Sequence, residues 1–135
     1  MQLPIRALAY GFAIWWIWGL IVIPAGQLLP TTVTSLPSFA SARLLVLVLL
    51  VVAFAVDYLR RVGSSSAKEG AVLGVTWGAV MVVNDLGHWL MEPFDIALYL
   101  TAFAPLYVFV PLITVTVLGR LSARPGPGSS LRTPA

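Results

Sequence analysis

The polar side chains that could do chemistry gather within one hydrophobic stretch of the sequence. Asn84, Asp85 and His88 lie close together there, and Glu92 follows one helical turn later. Residues three and four apart share one face of a helix, so Asp85, His88 and Glu92 would form a polar ladder with Asn84 beside it. Ionisable residues inside a membrane span are functional-site hypotheses by default, and histidine titrates near neutral pH. The ladder therefore predicts a site that binds or translocates a proton, a cation or a small solute.

Other interpretations of the ladder remain open. Asp85 and His88 could pair as a structural contact that holds helices together, which contributes about 0.6 kcal/mol on average. The nitrogen and oxygen ligands on this face would suit a divalent ion only if another chain completed its shell. Because the chain has one histidine and no cysteine, we predict neither a metal site nor a cofactor. The sequence contains no clear pair of nucleophile and base, so an enzyme is the less expected outcome.

The composition indicates the elements that must position this ladder. Hydrophobic residues make up 59% of the 135 residues and charged residues only 10%, against about 25% charged in a soluble domain. Crossing a bilayer takes about 20 apolar residues in a helix, and open strand edges are not tolerated in lipid. We therefore predict an all-α fold, a four-helix transmembrane bundle within residues 1–122. Its spans are approximately Ala7–Leu28, Phe39–Leu59, Gly70–Met91 and Ile96–Leu118.

The charge distribution predicts an orientation. Of the eight Lys and Arg residues, seven fall on one side of a four-span arrangement and only Arg43 falls on the other. Since Lys and Arg favour cytoplasmic loops, both termini should be cytoplasmic. A cleaved signal peptide is the alternative for the first span, although its apolar stretch exceeds the usual h-region. Residues 123–135 are rich in Pro, Gly and Ser and predict a disordered cytoplasmic tail. The sequence lacks the basic patch with interleaved aromatic residues that is typical of nucleic-acid binding, so we predict no nucleic-acid partner.

Two further patterns concern packing. Gly70, Gly74 and Gly78 form a small-xxx-small ridge that permits close approach of another helix, either within the bundle or across a homodimer. Tyr99, after a short loop, is predicted to lie at the level of Asp85. An aromatic cluster near the middle of the first span either packs between helices or offers a flat apolar surface to a lipid tail, quinone or cation. Its tryptophans are Trp15, Trp16 and Trp18.

A set of residues in the C-terminal half carries a resemblance to a known family: Lys68, Glu69, Gly70, Gly74, Trp77, Asn84, Asp85, Pro93, Tyr99, Tyr107, Pro111 and Thr114. This pattern resembles small four-span membrane proteins of bacteria and archaea, a family without an assigned activity. The resemblance implies a fold of four helices, an important role for Asp85 and a location in a prokaryotic inner membrane. The small multidrug transporters have a similar size, but their essential glutamate lies in the first span, and the first span here has no acid.

Two functions stay open at this point. The first is binding or translocation through the polar cluster on the third span. The second is a non-catalytic accessory or assembly subunit of a membrane complex. The expected partners are the lipid bilayer and either a second copy of the chain or a larger membrane complex.

Overall fold

Four long helices make up most of the structure, a computed structural model that describes residues 3–62, 66–89, 97, 100 and 104–123. No strand occurs among these residues. One short helix, α2, lies in the connection between the first two long ones. The helices are α1 (Leu3–Leu28), α2 (Thr31–Thr34), α3 (Pro37–Val62), α4 (Ala67–Trp89) and α5 (Ala104–Ser122).

The four long helices satisfy the length and composition of membrane spans. Their apolar segments run over Ile5–Leu28, Pro37–Val62, Ala67–Gly87 and Ala104–Ser122. The 26 residues of α1 and of α3 correspond to about 39 Å, which exceeds the ~30 Å hydrocarbon core of a bilayer. The predicted all-α class with four long apolar helices is confirmed, and it indicates an integral membrane protein.

Two helices begin at or directly after a proline, whereas another proline lies inside a helix. Pro30 precedes α2 and Pro37 begins α3, as expected for a residue whose fixed φ suits the first turn. Pro111 lies inside α5, which continues to Ser122, beyond the predicted end at Leu118. The predicted start of that span at Ile96, the predicted end of the third span at Met91 and the tail from residue 124 lie outside the described residues.

The long helices alternate in direction around the bundle. The start of α1 meets the end of α3 through Tyr10 and Asp57, so these two helices are antiparallel. Helix α1 also packs on α4, and α5 packs on both α3 and α4. Consecutive long helices therefore run up, down, up and down, and the N-terminus of α1 lies at the same end of the bundle as the start of α4 and the ends of α3 and α5.

The closest packing joins α4 to α5 along the glycine ridge. A Cβ atom added at Gly74 would lie 2.6 Å from the Cα atom of Leu112, and one added at Gly78 would lie 2.8 Å from the carbonyl oxygen of Tyr107. Gly70 faces the backbone of Val115 in the same way. Because only a residue without Cβ permits this approach, the ridge is used inside the bundle, and any contact between two copies would involve other surfaces.

The interior is apolar and the outward faces are apolar as well. Large side chains with at most 1% exposed surface fill the centre: Ile14, Leu47, Val51, Trp77, Met81 and Val115. Large hydrophobic side chains are also exposed on each of the long helices, among them Leu20, Leu45, Val72 and Ile113. A chain that is hydrophobic both inside and outside matches a protein surrounded by lipid rather than water.

Candidate functional site

The carboxylate of Asp85 lies inside the bundle, on the face of α4 that packs against α1. Asp85 is only 8% exposed and is the one buried charged residue in the part of the chain that the structure describes. The indole Nε1 of Trp15 donates a hydrogen bond of 2.6 Å to its Oδ1 atom. A buried carboxylate requires such donors, because removing it from water without them is costly. The Trp15 donor to Asp85 is the central feature of the candidate site.

Of the other members of the predicted ladder, the structure describes the side chain of Asn84. The amide Nδ2 of Asn84 donates to the carbonyl oxygen of Val80, one turn earlier in the same helix, at 2.7 Å. This bond directs the Asn84 amide along its own helix. The His88 side chain, Glu92 and Tyr99 lie outside the described part of the chain, so their predicted place beside Asp85 stays a prediction.

The register between α1 and α4 brings Trp15 to Asp85. Eight residues before this pair, the indole Nε1 of Trp77 donates to the carbonyl oxygen of Ala7 at 2.9 Å. Both bonds join residues 70 positions apart, so the two helices run parallel in one constant register. Gly11 allows this approach, since a Cβ atom there would lie 3.0 Å from Cδ1 of Trp77. Buried indoles need a partner for their N–H group, and both tryptophans have one.

The three tryptophans of α1 do not form one surface. Trp15 faces Asp85, whereas Trp18 is 9% exposed and meets the ring of Tyr107 edge-on at 5.3 Å. The side chain of Trp16 points outward, is 49% exposed and pairs with the exposed Phe12 at 6.1 Å. The rings of Trp15 and Trp16 meet edge-on at 5.7 Å, so Trp15 lies between the buried Asp85 and the exposed Trp16. Two of the tryptophans thus pack between helices, and the third contributes to an outward aromatic patch.

A second polar cluster lies near the opposite end of the bundle. The hydroxyl of Tyr10 donates to Oδ2 of Asp57 at 2.5 Å, and Nε of Arg61 donates to the same oxygen at 2.8 Å. The sequence indicates the ion pair one turn apart on α3, but it does not reveal Tyr10. Their distances from the connection between the two helices could have revealed this contact. Tyr10 lies 18 residues before the end of α1 and Asp57 lies 20 residues after the start of α3, so the two residues lie at similar levels of an antiparallel hairpin.

An apolar layer separates the two carboxylates. Ile14 follows Tyr10 by one turn on α1, and Met81 precedes Asp85 by one turn on α4; both side chains are completely buried. Trp77 is equally buried, and its ring stacks on that of Tyr10 at 6.5 Å with an interplanar angle of 8°. The bundle thus contains one enclosed carboxylate and one partly exposed carboxylate at different depths, with a buried apolar layer between them.

The enclosed position limits what Asp85 can bind. A proton adds almost no volume to a carboxylate, whereas a hard cation such as Ca²⁺ takes six to eight oxygen ligands. Among the described residues, no three His, Cys, Asp or Glu side chains are grouped so that they could hold a metal ion. At 8% exposure, the Asp85 carboxylate has room for a proton.

Comparison with protein-family models, with curated proteins and with solved structures finds no match to this chain. The resemblance of its C-terminal half to small four-span prokaryotic proteins therefore stays a prediction.

Proposed function

We propose that this chain is a small integral protein of the prokaryotic cytoplasmic membrane that takes up a proton at Asp85 and translocates it. The observation that carries the proposal is the enclosed carboxylate of Asp85, 8% exposed and hydrogen-bonded by the Trp15 indole. An ionised group within a span costs ~2.5 kcal/mol or more at the bilayer centre and less toward the interface. An apolar side chain could pack at this position without that cost, so packing alone does not explain a carboxylate here.

The positions of the second carboxylate and of the apolar layer support the same proposal. Asp57 lies near the far end of the bundle, where Tyr10 and Arg61 hold it. Ile14 and Met81 close the interior between the two acids. A closed layer with an ionisable group on each side prevents leakage in this conformation, so translocation would require α1 to shift against α4. The bond between Trp15 and Asp85 crosses that interface and would respond to the charge on Asp85.

The topology forms part of the proposal. Arg6, Arg60 and Arg61 lie at the same end of the bundle as Lys68 and Arg120, while Arg43 lies toward the other end. The preference of Lys and Arg for the cytoplasmic side then places both termini in the cytoplasm. In this orientation Asp85 lies in the outer half of the membrane and Asp57 at the inner side.

Proton flux into liposomes tests the proposal. The purified protein is reconstituted, a potassium diffusion potential is imposed, and the internal pH is followed with a trapped dye. Wild type should acidify the lumen faster than empty liposomes. Asp85→Asn keeps an oxygen that accepts the Trp15 bond but cannot exchange a proton, so it should fold normally and reduce flux to the level of empty liposomes.

Two further variants make the result specific. Asp85→Glu retains a carboxyl group and should keep part of the flux. Asn84→Ala removes the neighbouring amide, which is bonded within its own helix, and should leave the flux unchanged. If Asp85→Asn transports protons at the wild-type rate, or if wild type never exceeds empty liposomes, Asp85 is not a translocation site.

The second candidate function is a non-catalytic accessory subunit, and the outward aromatic patch of Phe12 and Trp16 favours it. Both side chains are close to half exposed near the middle of α1, whereas tryptophan in membrane proteins collects at the interfaces. A partner helix could cover this patch. Gentle solubilisation from the native membrane separates the two functions: an accessory subunit should elute as part of a larger complex, and a stable, monodisperse free chain would contradict that role.

A further inference from the structure

An apolar groove opens at the end of the bundle where α1 and α4 begin and α3 ends. It has a volume of about 640 Å³, which lies within the range of small-molecule sites. The residues that line it are mostly aliphatic, among them Ala7, Leu8, Leu59, Val62, Val72 and Leu73. Leu8 and Val72 are exposed on its two sides, so the groove is open toward the surroundings of the helices and not sealed inside the bundle.

The polar residues of the groove lie toward the end of the helices. Ser66, Lys68 and Glu69, from the start of α4, contribute to its lining, as does Tyr58 from α3. Both Lys68 and Glu69 are exposed. Arg6, in the first turn of α1, directly precedes Ala7, which lines the groove. An apolar slot thus ends at a charged rim, which is the layout of a lipid at a membrane interface.

The charge at this end of the bundle is cationic. The described residues here include five cations, Arg6, Arg60, Arg61, Lys68 and Arg120, against the two carboxylates of Asp57 and Glu69. Asp57 is already paired with Arg61. The rim therefore keeps an excess of positive charge even with Glu69 present. Basic pockets between membrane helices attract anionic headgroups.

We propose that this groove binds an anionic phospholipid, with one acyl chain between α1 and α4 and its phosphate paired with Lys68 and Arg6. A neutral phospholipid could fill the same apolar slot, but it would not gain from the cationic rim. The site shares no residue with the contact between Asp85 and Trp15, so it does not depend on proton translocation.

Lipid titration followed by native mass spectrometry tests the proposal. The detergent-solubilised protein is titrated with phosphatidylglycerol and with phosphatidylcholine of identical acyl chains. Each basic residue near an anionic surface strengthens binding by about fivefold. We therefore expect phosphatidylglycerol to bind at least fivefold more tightly than phosphatidylcholine. Lys68→Gln combined with Arg6→Gln should remove this preference, and Arg120→Gln, at the same end but outside the groove, should keep it.

A steric variant tests the groove itself. Val72→Trp would fill the slot from an exposed position and should weaken both lipids. Leu20→Trp places the same side chain on an exposed position of α1 outside the groove and should leave both affinities unchanged. Equal affinity of wild type for the two lipids, or unchanged phosphatidylglycerol binding in Val72→Trp, would overturn the proposal. A protein dimer that Val72→Trp dissociates without loss of lipid would assign the groove to a second copy instead.

Discussion

The substitution Gly74→Ala measures how much the bundle depends on the closeness of α4 and α5. The added Cβ atom would lie 2.6 Å from Cα of Leu112 and 2.7 Å from the carbonyl oxygen of Pro111. Favourable carbon contacts need ~3.5 Å or more, so the helices must separate by about 1 Å at this point. The atoms in conflict belong to the backbone and cannot rotate away. Overpacking of this kind costs about 1 to 3 kcal/mol.

Gly87→Ala is the matched control in the same helix. No described atom lies within 4 Å of a Cβ atom added there. Both substitutions gain the same helix propensity, about 1 kcal/mol in favour of alanine in aqueous hosts, so the difference between them isolates the steric cost. We expect Gly74→Ala to be less stable than Gly87→Ala by about 1 to 3 kcal/mol.

The assay is equilibrium unfolding in mixed micelles, in which the denaturing detergent is titrated and the free energy of unfolding is compared between variants. Circular dichroism in the native micelle verifies that each variant begins from the same helical content. Equal stability of Gly74→Ala and Gly87→Ala would refute the close packing of α4 on α5.

Three more substitutions test the contacts of α1 by the same unfolding assay. Tyr10→Phe removes the hydroxyl that donates to Asp57 and should lower the free energy of unfolding by about 1 kcal/mol; no loss would mean that this bond contributes nothing. A double-mutant cycle between Trp15→Phe and Asp85→Asn should give a coupling energy of about 0.6 to 1.7 kcal/mol, the range of polar contacts between membrane helices, and additive effects would show that the two side chains do not interact. Trp16→Leu should lower the free energy of unfolding by about 0.5 to 1.5 kcal/mol, because the half-exposed ring makes edge contacts with Phe12 and Trp15, and a loss above about 3 kcal/mol would place it inside the packed interface.

The local features of the fold could be predicted from the sequence because hydropathy and length decide them. Four stretches longer than a bilayer requires, separated by Pro, Ser and charged residues, leave helices as the stable choice. The ion pair between Asp57 and Arg61 joins neighbouring turns of one helix, so the sequence spacing of the two residues permits it. Spacing alone is enough for contacts of this kind.

The contacts between helices could not be predicted in the same way. Gly74 has the same spacing pattern whether it packs on α5 or on a second copy, and only the arrangement of the whole bundle selects α5. Likewise, the bond from Trp15 to Asp85 depends on the register of two helices that are 70 residues apart in sequence. The sequence groups the tryptophans of α1 by their proximity, but it does not show that Trp18 is buried, that Trp16 is 49% exposed and that Trp15 lies between Trp16 and Asp85.

The protonation of Asp85 is the central claim, and infrared difference spectroscopy of the reconstituted protein measures it most directly. Spectra are compared across the pH range in which the protein stays folded, for wild type, Asp85→Asn and Asp57→Asn. The account predicts that one component of the carboxylic acid C=O absorption appears on acidification of wild type, persists in Asp57→Asn and is missing from Asp85→Asn, beside the bands of the other carboxyl groups. An identical band in wild type and Asp85→Asn would show that Asp85 takes up no proton and would contradict the account.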